Sequence, residues 1–226
     1  MKTPILIAKN IKKQFLSPTP IDILKGIDLE IYPGESVAIT GKSGEGKSTL
    51  LHILGTIEKP TSGTLEICGK STAKTSLPHL RNHCIGFVFQ TFHLLEDYTV
   101  LDNVLIPARI ARIPVSKGSP AYQRALDLLE RVGLKERAHF LCKLLSGGEK
   151  QRAAIARALC NDPALILADE PSGNLDTFHS QAIHSLLLDL VKQMQKSLIV
   201  VTHDTELSSL CDRTLHLRDG IALLHH

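Results

Sequence analysis

The stretch GKSGEGKST at positions 41–49 constrains this 226-residue chain more than any other. Residues 41–48 fit the pattern G-x-x-x-x-G-K-[ST], with the apolar run ESVAIT (35–40) before them and a helical pattern from Lys47 to about Leu54 after them. Glycines in such a loop adopt positive φ, and successive backbone N–H groups then surround a phosphate. The helix that follows points its positive end at the same charge. The stretch therefore predicts a polyphosphate-binding turn between a buried strand and a helix.

Each residue type in this loop has an expected role. Lys47 should reach the β- and γ-phosphates, and the Ser48 hydroxyl should ligate Mg²⁺. Glu45 brings a carboxylate into the loop, so it must point away from the phosphates or weaken their binding. The residues predicted to bind the nucleotide are Gly41, Lys42, Ser43, Gly44, Glu45, Gly46, Lys47, Ser48 and Thr49.

A second element is LILADEP at 165–171, an apolar strand that ends in two carboxylates. Parallel strands deliver their C-terminal ends to the edge of the sheet where ligands bind. Asp169 is predicted to hold Mg²⁺, directly or through water, and Glu170 to polarise the water that attacks the γ-phosphate. Alone, such a pair is often only a polar strand cap; the upstream phosphate loop favours the catalytic interpretation.

Two further polar residues end apolar stretches. His203 closes SLIVVTH, and at the same sheet edge it is predicted to reach the γ-phosphate, although a strand-end histidine met alone is more often structural. Gln90 closes GFVFQ, and as a metal ligand it is predicted to sense Mg²⁺ and the attacking water.

The order of elements indicates an α/β fold. ILIA (5–8) and DLEI (28–31) resemble short strands separated by turns, and ALILAD (164–169) and SLIVVT (197–202) resemble buried parallel strands. LHLRDGIALL (215–224) resembles a hairpin that turns at Asp219-Gly220. In AYQRALDLLERVGL the apolar residues have helical spacing, and Gly133 is a plausible end of that helix. We expect one domain over 1–226, with a core from 1–90 and 160–226 and an inserted helical subdomain at 91–159.

Composition excludes several classes of function. The net charge of +3 is too small to predict a nucleic-acid surface, and no apolar run approaches the length of a membrane span. The N-terminus lacks the apolar segment of a signal peptide. The five cysteines are scattered, which is typical of reduced thiols in a cytoplasmic protein. We therefore expect no nucleic-acid partner and no membrane-spanning segment in this chain.

Six motifs occur in the order found in ATP-binding-cassette (ABC) ATPases, and together they span nearly the whole chain: GKSGEGKST, FQ at 89–90, LSGGEKQR at 145–152, LILADEP, SGNLD at 172–176 and VTHD at 201–204. The sequence resembles that family, which implies a P-loop NTPase (RecA-like) parallel-sheet core with an N-terminal antiparallel β region, and ATP and Mg²⁺ as ligands. By this resemblance Phe15 stacks on adenine, unless it is part of the core, and Asp176 communicates between the two sites of a dimer. Glu45 stands where the family usually has a small residue.

The resemblance also explains a second glycine turn, in LSGGEKQR. In the family this turn closes over ATP held by the partner subunit, so Ser146, Gly147 and Gly148 are expected to complete the other subunit's site. Among family members, the GNLD motif, the stretch FVFQTFHLLEDYTVLDNV and the ending DRTLHLRDG look most like ATPases of lipoprotein-releasing systems.

These similarities imply a homodimer on the cytoplasmic side of the inner membrane, bound peripherally to integral membrane transporter subunits and powering lipoprotein release toward the outer membrane. Macrolide-efflux and cell-division signalling ATPases are the alternatives. A family ATPase acting on ribosomes or nucleic acid is disfavoured, because such proteins usually carry two cassettes or a coiled-coil insertion. The membrane partner is expected to dock between the lobes, around Thr91–Val100, where Phe92, Leu94, Leu95 and Tyr98 are apolar and two of the four are expected to belong to the core.

Overall fold

The computed structural model describes residues 3–16 and 19–225. Its strands are β1 (Leu6–Phe15), β2 (Ile21–Ile31), β3 (Ser36–Thr40), β4 (Ser62–Ile67), β5 (Lys70–Ser71), β6 (Ile85–Val88), β7 (Leu165–Asp169), β8 (Ser197–Val201), β9 (Arg213–Arg218) and β10 (Ile221–His225). Its α-helices are α1 (Lys47–Leu54), α2 (Leu77–Cys84), α3 (Val100–Ile110), α4 (Pro120–Arg131), α5 (Gly147–Leu159), α6 (Thr177–Gln193) and α7 (Thr205–Ser209). Short 3₁₀ turns occupy Lys135–Arg137 and Cys142–Leu144.

The described strands form two sheets. The first is antiparallel, with the order β2-β1-β4-β5. The second has the order β10-β9-β3-β8-β7-β6, and all its neighbours are parallel except the β9–β10 pair. The expected architecture of a mostly parallel core sheet with an antiparallel N-terminal sheet is confirmed.

The parallel core follows from its sequence. Strands β3, β7 and β8 are short runs of aliphatic residues, and nearly every residue in them is buried. A strand covered on both faces needs apolar side chains on both, which is why these runs do not alternate. Because β3 and β7 are joined through β8, their C-terminal ends lie at one edge of the sheet. The phosphate loop follows β3 there, and the acidic pair lies at the end of β7.

The N-terminal strands differ from the expectation. Short strands were expected at 5–8 and 28–31, but β1 and β2 run over ten and eleven residues and pair along most of their length. The polar residues between the two apolar runs pointed to turns. In the structure, most of those within 9–15 and 21–27 are exposed or half-buried on two paired strands, so water solvates their charged side chains without breaking the pairing.

The helices α3, α4 and α5 form the inserted lobe. Val104, Leu129 and Ile155 of these helices belong to one apolar cluster that also contains Val88 and Leu198 of the parallel sheet. The lobe therefore shares a core with the sheet. After α4, Gly133 has φ +69°, the left-handed conformation that commonly ends a helix at glycine, as the sequence indicated. We retain the division into 1–90 plus 160–226 and 91–159 as a proposal.

None of the helices within residues 3–16 and 19–225 is both long and apolar enough to cross a membrane.

Candidate nucleotide-binding and catalytic site

The phosphate loop connects β3 to α1, and its shape depends on glycine. Gly46 immediately precedes α1 with φ +92°, and a Cβ added there would lie 2.7 Å from Cγ2 of Ile23. A larger residue would be strained in its backbone and would also collide with β2. The loop therefore holds its N–H groups at the start of α1, where the positive end of the helix dipole also acts.

Lys47 and Glu45 are both held by the loop itself. The Lys47 Nζ donates to the carbonyl oxygens of Gly41 and Lys42, each at 2.9 Å. The Glu45 Oε2 accepts from the backbone N–H of Lys42 at 2.6 Å. The Glu45 carboxylate is thus turned toward the beginning of the loop, and Glu45 is absent from the described residues that line the pocket. Whether Glu45 points away from bound phosphates or weakens their binding stays a prediction.

Ser48 and Asp169 present oxygen atoms to each other across the sheet edge. The Ser48 Oγ lies 3.2 Å from Oδ1 of Asp169, and Nε2 of His52 lies 4.0 Å from Oδ2. Burial raises the pKa of the Asp169 carboxyl, and the Ser48 hydrogen bond opposes that effect. Mg²⁺ prefers a site of one or two carboxylates with other oxygen donors, so this pair of donors fits the ion.

Glu170 and His203 are in direct contact. The Nδ1 of His203 lies 2.9 Å from Oε1 of Glu170, and the Glu170 N–H donates to the carbonyl of Val201 at 2.9 Å. Glu170 has φ +44°, an uncommon conformation for a residue with a side chain. The backbone turns sharply here, which directs the carboxylate at the pocket. A carboxylate beside an imidazole at a phosphate site can position a water molecule and accept its proton.

Gln90 is hydrogen-bonded to the segment that follows Asp169 and Glu170. The Asn174 side chain donates to the Gln90 carbonyl at 2.9 Å, and the Gln90 Nε2 lies 3.4 Å from Oδ1 of Asn174. Gly173 allows this approach, since a Cβ there would lie 2.7 Å from the Gln90 Nε2. Any movement of the Gln90 segment is thereby linked to the segment that carries Glu170.

These groups surround a cavity of about 480 Å³, a size typical of nucleotide and drug-sized ligands. Of the residues predicted from sequence, the cavity is lined by Gly41, Ser43, Gly44, Gly46, Lys47, Ser48, Thr49, Gln90, Glu170 and His203. Those in the described part of the chain that do not line it are Lys42, Glu45, Phe15, Asp169, Asp176, Ser146, Gly147 and Gly148.

The second glycine turn is a helix N-terminus with a complete capping box. Ser146 precedes α5, its Oγ accepts from the N–H of Glu149 at 3.3 Å, and the Glu149 carboxylate accepts from the Ser146 N–H at 2.9 Å. The backbone hydrogen bond from Ser146 lowers the pKa of Glu149. Ser146 is exposed, so its hydroxyl proton remains able to meet a group from outside the chain.

Phe15 and Asp176 lie apart from the cavity. Phe15 is 42% exposed, so it is not a core residue, and the ammonium of Lys13 lies 4.8 Å from its ring centroid. Asp176 caps the N-terminus of α6, accepts from the N–H of His179 at 3.0 Å and contacts the His179 ring. Phe15 and Asp176 are both exposed. A ring that stacks on a nucleotide and a loop that contacts a second subunit both need to be exposed in the single chain.

Several residues near the site were not anticipated from the sequence. Ile23 lines the cavity from β2, and Asn174 holds Gln90. Arg157 of α5 donates to the carbonyls of Phe92 and His93, and so joins the helix of the second glycine turn to the segment after Gln90. The place of Asn174 within the motif SGNLD (172–176) was the one sequence signal among these residues. The others depend on contacts between distant parts of the chain.

A parallel sheet with a G-x-x-x-x-G-K-S loop after one strand and an acidic pair at the end of another defines a P-loop nucleotide-binding protein. Residues 24–173 of the chain match the sequence model of the protein family described as "ABC transporter". The chain belongs to the ABC transporter family, as one of its ATP-hydrolysing subunits.

Relatives and solved structures agree with this placement. The chain is similar to "Lipoprotein-releasing system ATP-binding protein LolD" of Protochlamydia amoebophila, at 56% identity over 96% of both chains. It is 49% identical to the protein of the same name from Bacteroides fragilis, over 88% of this chain and 93% of that one. A dimeric post-hydrolysis structure of the ATP-binding cassette MJ0796 bound to ADP and Pi superposes with a TM-score of 0.86 at 38% identity, covering 96% of each chain.

Proposed function

We propose that this chain is the ATPase subunit of a transporter that releases lipoproteins from the inner membrane toward the outer membrane, and that it acts as a peripheral homodimer on the cytoplasmic face. The observation that carries the catalytic part is the cavity, where the phosphate loop, Glu170, His203 and Gln90 meet. The names of relatives that match at 45–56% identity over most of the chain support the choice of substrate class.

The residues of the cavity have separable tasks. Lys47 leaves the carbonyls of its own loop and pairs with the nucleotide phosphates, which offer a stronger, charged partner. Ser48 and Asp169 hold Mg²⁺, which when bound neutralises charge on the phosphate oxygens. Glu170 orients the attacking water and accepts its proton. His203, 2.9 Å from Glu170, holds that carboxylate in place and faces the γ-phosphate.

The site is completed by a second subunit. Ser146 and Gly148 start a helix whose N–H groups favour an anion, yet neither lines the cavity within the described ranges of their own chain. Dimeric cassettes are known among similar structures at 38–39% identity. In the proposed dimer, Ser146 donates its hydroxyl proton to the γ-phosphate bound by the partner, and Asp176 lies at the contact between the two sites.

The membrane subunits dock beside the segment Thr91–Val100. Leu95 and Tyr98 are each 48% exposed, whereas Leu94 packs on the apolar cluster and Phe92 is half-buried. The Leu141–Leu144 segment runs next to this one, because Cys142 donates its N–H to the Tyr98 carbonyl at 3.0 Å. His93, within this segment, also lines a groove of about 440 Å³ between α2, α3, α5 and β6, so an apolar partner helix has both a surface and a recess to occupy.

Co-purification tests this docking surface. Leu95→Glu and Tyr98→Glu should abolish recovery of the membrane subunits from detergent-solubilised membranes while leaving ATP binding unchanged. Ile57→Glu is the matched control, because Ile57 is 49% exposed but lies after α1. Full recovery of the partner with both variants would show that the subunits bind elsewhere.

Reconstitution tests the substrate. The chain with its co-purified membrane subunits is placed in proteoliposomes that contain an acylated lipoprotein, and release into solution is measured with ATP and with ATP plus vanadate. Release is expected only under hydrolysis. ATP-dependent movement of a macrolide without lipoprotein release, or ATP turnover with no transport, would instead indicate an efflux pump or a signalling ATPase.

A further inference from the structure

A buried histidine lies behind the catalytic edge of the sheet. His184 of α6 is 1% exposed, and its Nε2 lies 2.6 Å from Oγ of Ser172. Its other ring nitrogen, Nδ1, faces Oδ2 of Asp204 at 4.0 Å and has no hydrogen-bond partner among the residues that the structure describes. A buried polar atom without a partner costs free energy, so this arrangement needs a reason other than packing.

Packing alone would favour an aliphatic residue. Ile183, Leu187 and Leu190 of α6 are apolar and 0–3% exposed. Ser180, one turn before His184, is polar and half-buried, and its hydroxyl lies 3.4 Å from the Ser172 carbonyl oxygen. His184 precedes Leu187 by three residues and therefore lies on the same face. A leucine at this position would fill the space without burying polar atoms. The imidazole is accordingly explained by what it contacts, namely Ser172 and Asp204.

Each contact belongs to a segment with a catalytic residue. Ser172 is two residues after Glu170 in a tight turn, where the Gly173 N–H donates to the Glu170 carbonyl at 3.0 Å. Asp204 directly follows His203. Together with the 2.9 Å contact between Glu170 and His203, these links form a ring through His184 that is open only at the 4.0 Å separation between His184 and Asp204.

Asp204 is already partly committed, which leaves one oxygen for His184. Its Oδ1 accepts from the N–H groups of Glu206 and Leu207 at 2.8 and 3.0 Å and so caps α7. Its Oδ2 is the atom that faces the His184 ring. Shortening the 4.0 Å separation by about 1 Å would form a normal hydrogen bond, a movement small enough for closure of the site around ATP.

We propose that His184 is a positioning residue for ATP hydrolysis: it accepts the Ser172 hydroxyl proton at Nε2, donates Nδ1–H to Asp204 in the closed site, and thereby fixes the Glu170 segment relative to the His203 segment. This inference rests on the proposed ATPase function. His184 touches neither the nucleotide nor the water, so its effect passes through the two segments.

The electrostatic surroundings select the tautomer. Burial lowers the pKa of His184, and the carboxylates of Asp204, Glu206 and Glu170 oppose that shift. The ring is therefore neutral at pH 7, and the negative groups attract the N–H to the Nδ1 side. At acidic pH both nitrogens carry protons, so Nε2 can no longer accept from Ser172 and the ring of contacts changes.

Kinetics of two variants test the proposal. His184→Leu should lower kcat about fivefold, the factor that corresponds to one lost hydrogen bond, with little change in the KM for ATP. His184→Gln can still accept from Ser172 and should return kcat to within about twofold of wild type. His139→Gln, at an exposed histidine of the helical lobe, is the matched control.

A double variant separates positioning from packing. If His184 acts through Ser172, adding Ser172→Ala to His184→Leu should lower kcat by no more than about twofold further. An unchanged kcat in His184→Leu, or fully multiplicative losses in the double variant, would each overturn the proposal.

A spectroscopic measurement does not depend on ATP turnover. In ¹⁵N-histidine-labelled protein, the His184 resonances are identified by their loss in His184→Gln. At pH 7 their chemical shifts should report the tautomer with its proton on Nδ1. The ring should take up a second proton only below pH 6.5, the ordinary pKa of histidine. An Nε2–H tautomer would overturn the inference even if the ATPase is active. Absence of ATP hydrolysis by the wild-type complex, with the expected tautomer present, would refute the proposed function instead.

Discussion

Replacing Glu170 with glutamine removes a base while changing almost nothing else at the site. The amide has nearly the same size and keeps the turn at φ +44°. The 2.9 Å contact with His203 becomes a neutral hydrogen bond, and this change weakens the contact by about 1 kcal/mol. The phosphate loop takes no part in that contact. Loss of general-base help should lower kcat by about 10²–10⁴-fold. That factor corresponds to about 3–5 kcal/mol in the barrier.

ATP binding should survive the same change. The loop N–H groups, Lys47 and Ser48 are unaltered, and one negative charge is removed from a cavity that must receive a polyanion, so the Kd for ATP should stay within about threefold of wild type. Because bound ATP is no longer cleaved, a closed dimer should accumulate.

The assay compares single-turnover hydrolysis with ATP-dependent dimerisation measured by light scattering. Glu66→Gln is the control, since Glu66 is exposed on β4, and it should behave as wild type in both. Hydrolysis by Glu170→Gln at a rate near wild type would refute the role of Glu170 as the base. Loss of ATP binding together with hydrolysis would show that Glu170 supports the site mainly through structure.

Two further predictions concern the dimer and the stability of the fold. In a Glu170→Gln background, mixing Lys47→Ala with Ser146→Arg should recreate a single site from one intact loop and one intact turn. The amount of ATP occluded should then approach about one molecule per mixed dimer. If native mass spectrometry shows mixed dimers but no ATP is occluded, each turn serves its own chain. Ser36→Ala should lower the free energy of unfolding at pH 7 by about 1–2 kcal/mol, because the Ser36 hydroxyl bonds Asp212 at 2.7 Å. Hydrogen bonds from the Ser36 hydroxyl and backbone N–H lower the pKa of Asp212 from its ordinary value of 3.8, so the stability that they contribute is present above about pH 4 and is lost at lower pH. In urea unfolding, the difference in free energy between wild type and Ser36→Ala should therefore be smaller at pH 3 than at pH 7. An equal difference at both pH values would contradict the assignment.

Local patterns determined much of this protein. The helix expected from Lys47 to about Leu54 ends where α1 ends, and Gly133 follows α4 in the left-handed conformation. The hairpin turn expected at Asp219-Gly220 has positive φ at both residues. In each case the decisive interaction is within a few residues of the chain, so the sequence carries the signal directly. The motif residues could be predicted for the same reason.

Only the tertiary structure decided which residues meet. Long β1 and β2 could not be recognised, because their exposed charged residues resemble turns until the partner strand is known. The exclusion of Ser146 from its own chain's cavity and the contacts of His184 depend on elements distant in sequence. The spacing of apolar residues along the chain shows which face of a helix or strand a side chain occupies. The packing of helices and strands decides which residue that side chain contacts. That is why the catalytic motifs were visible in the sequence, whereas the buried link behind them was not.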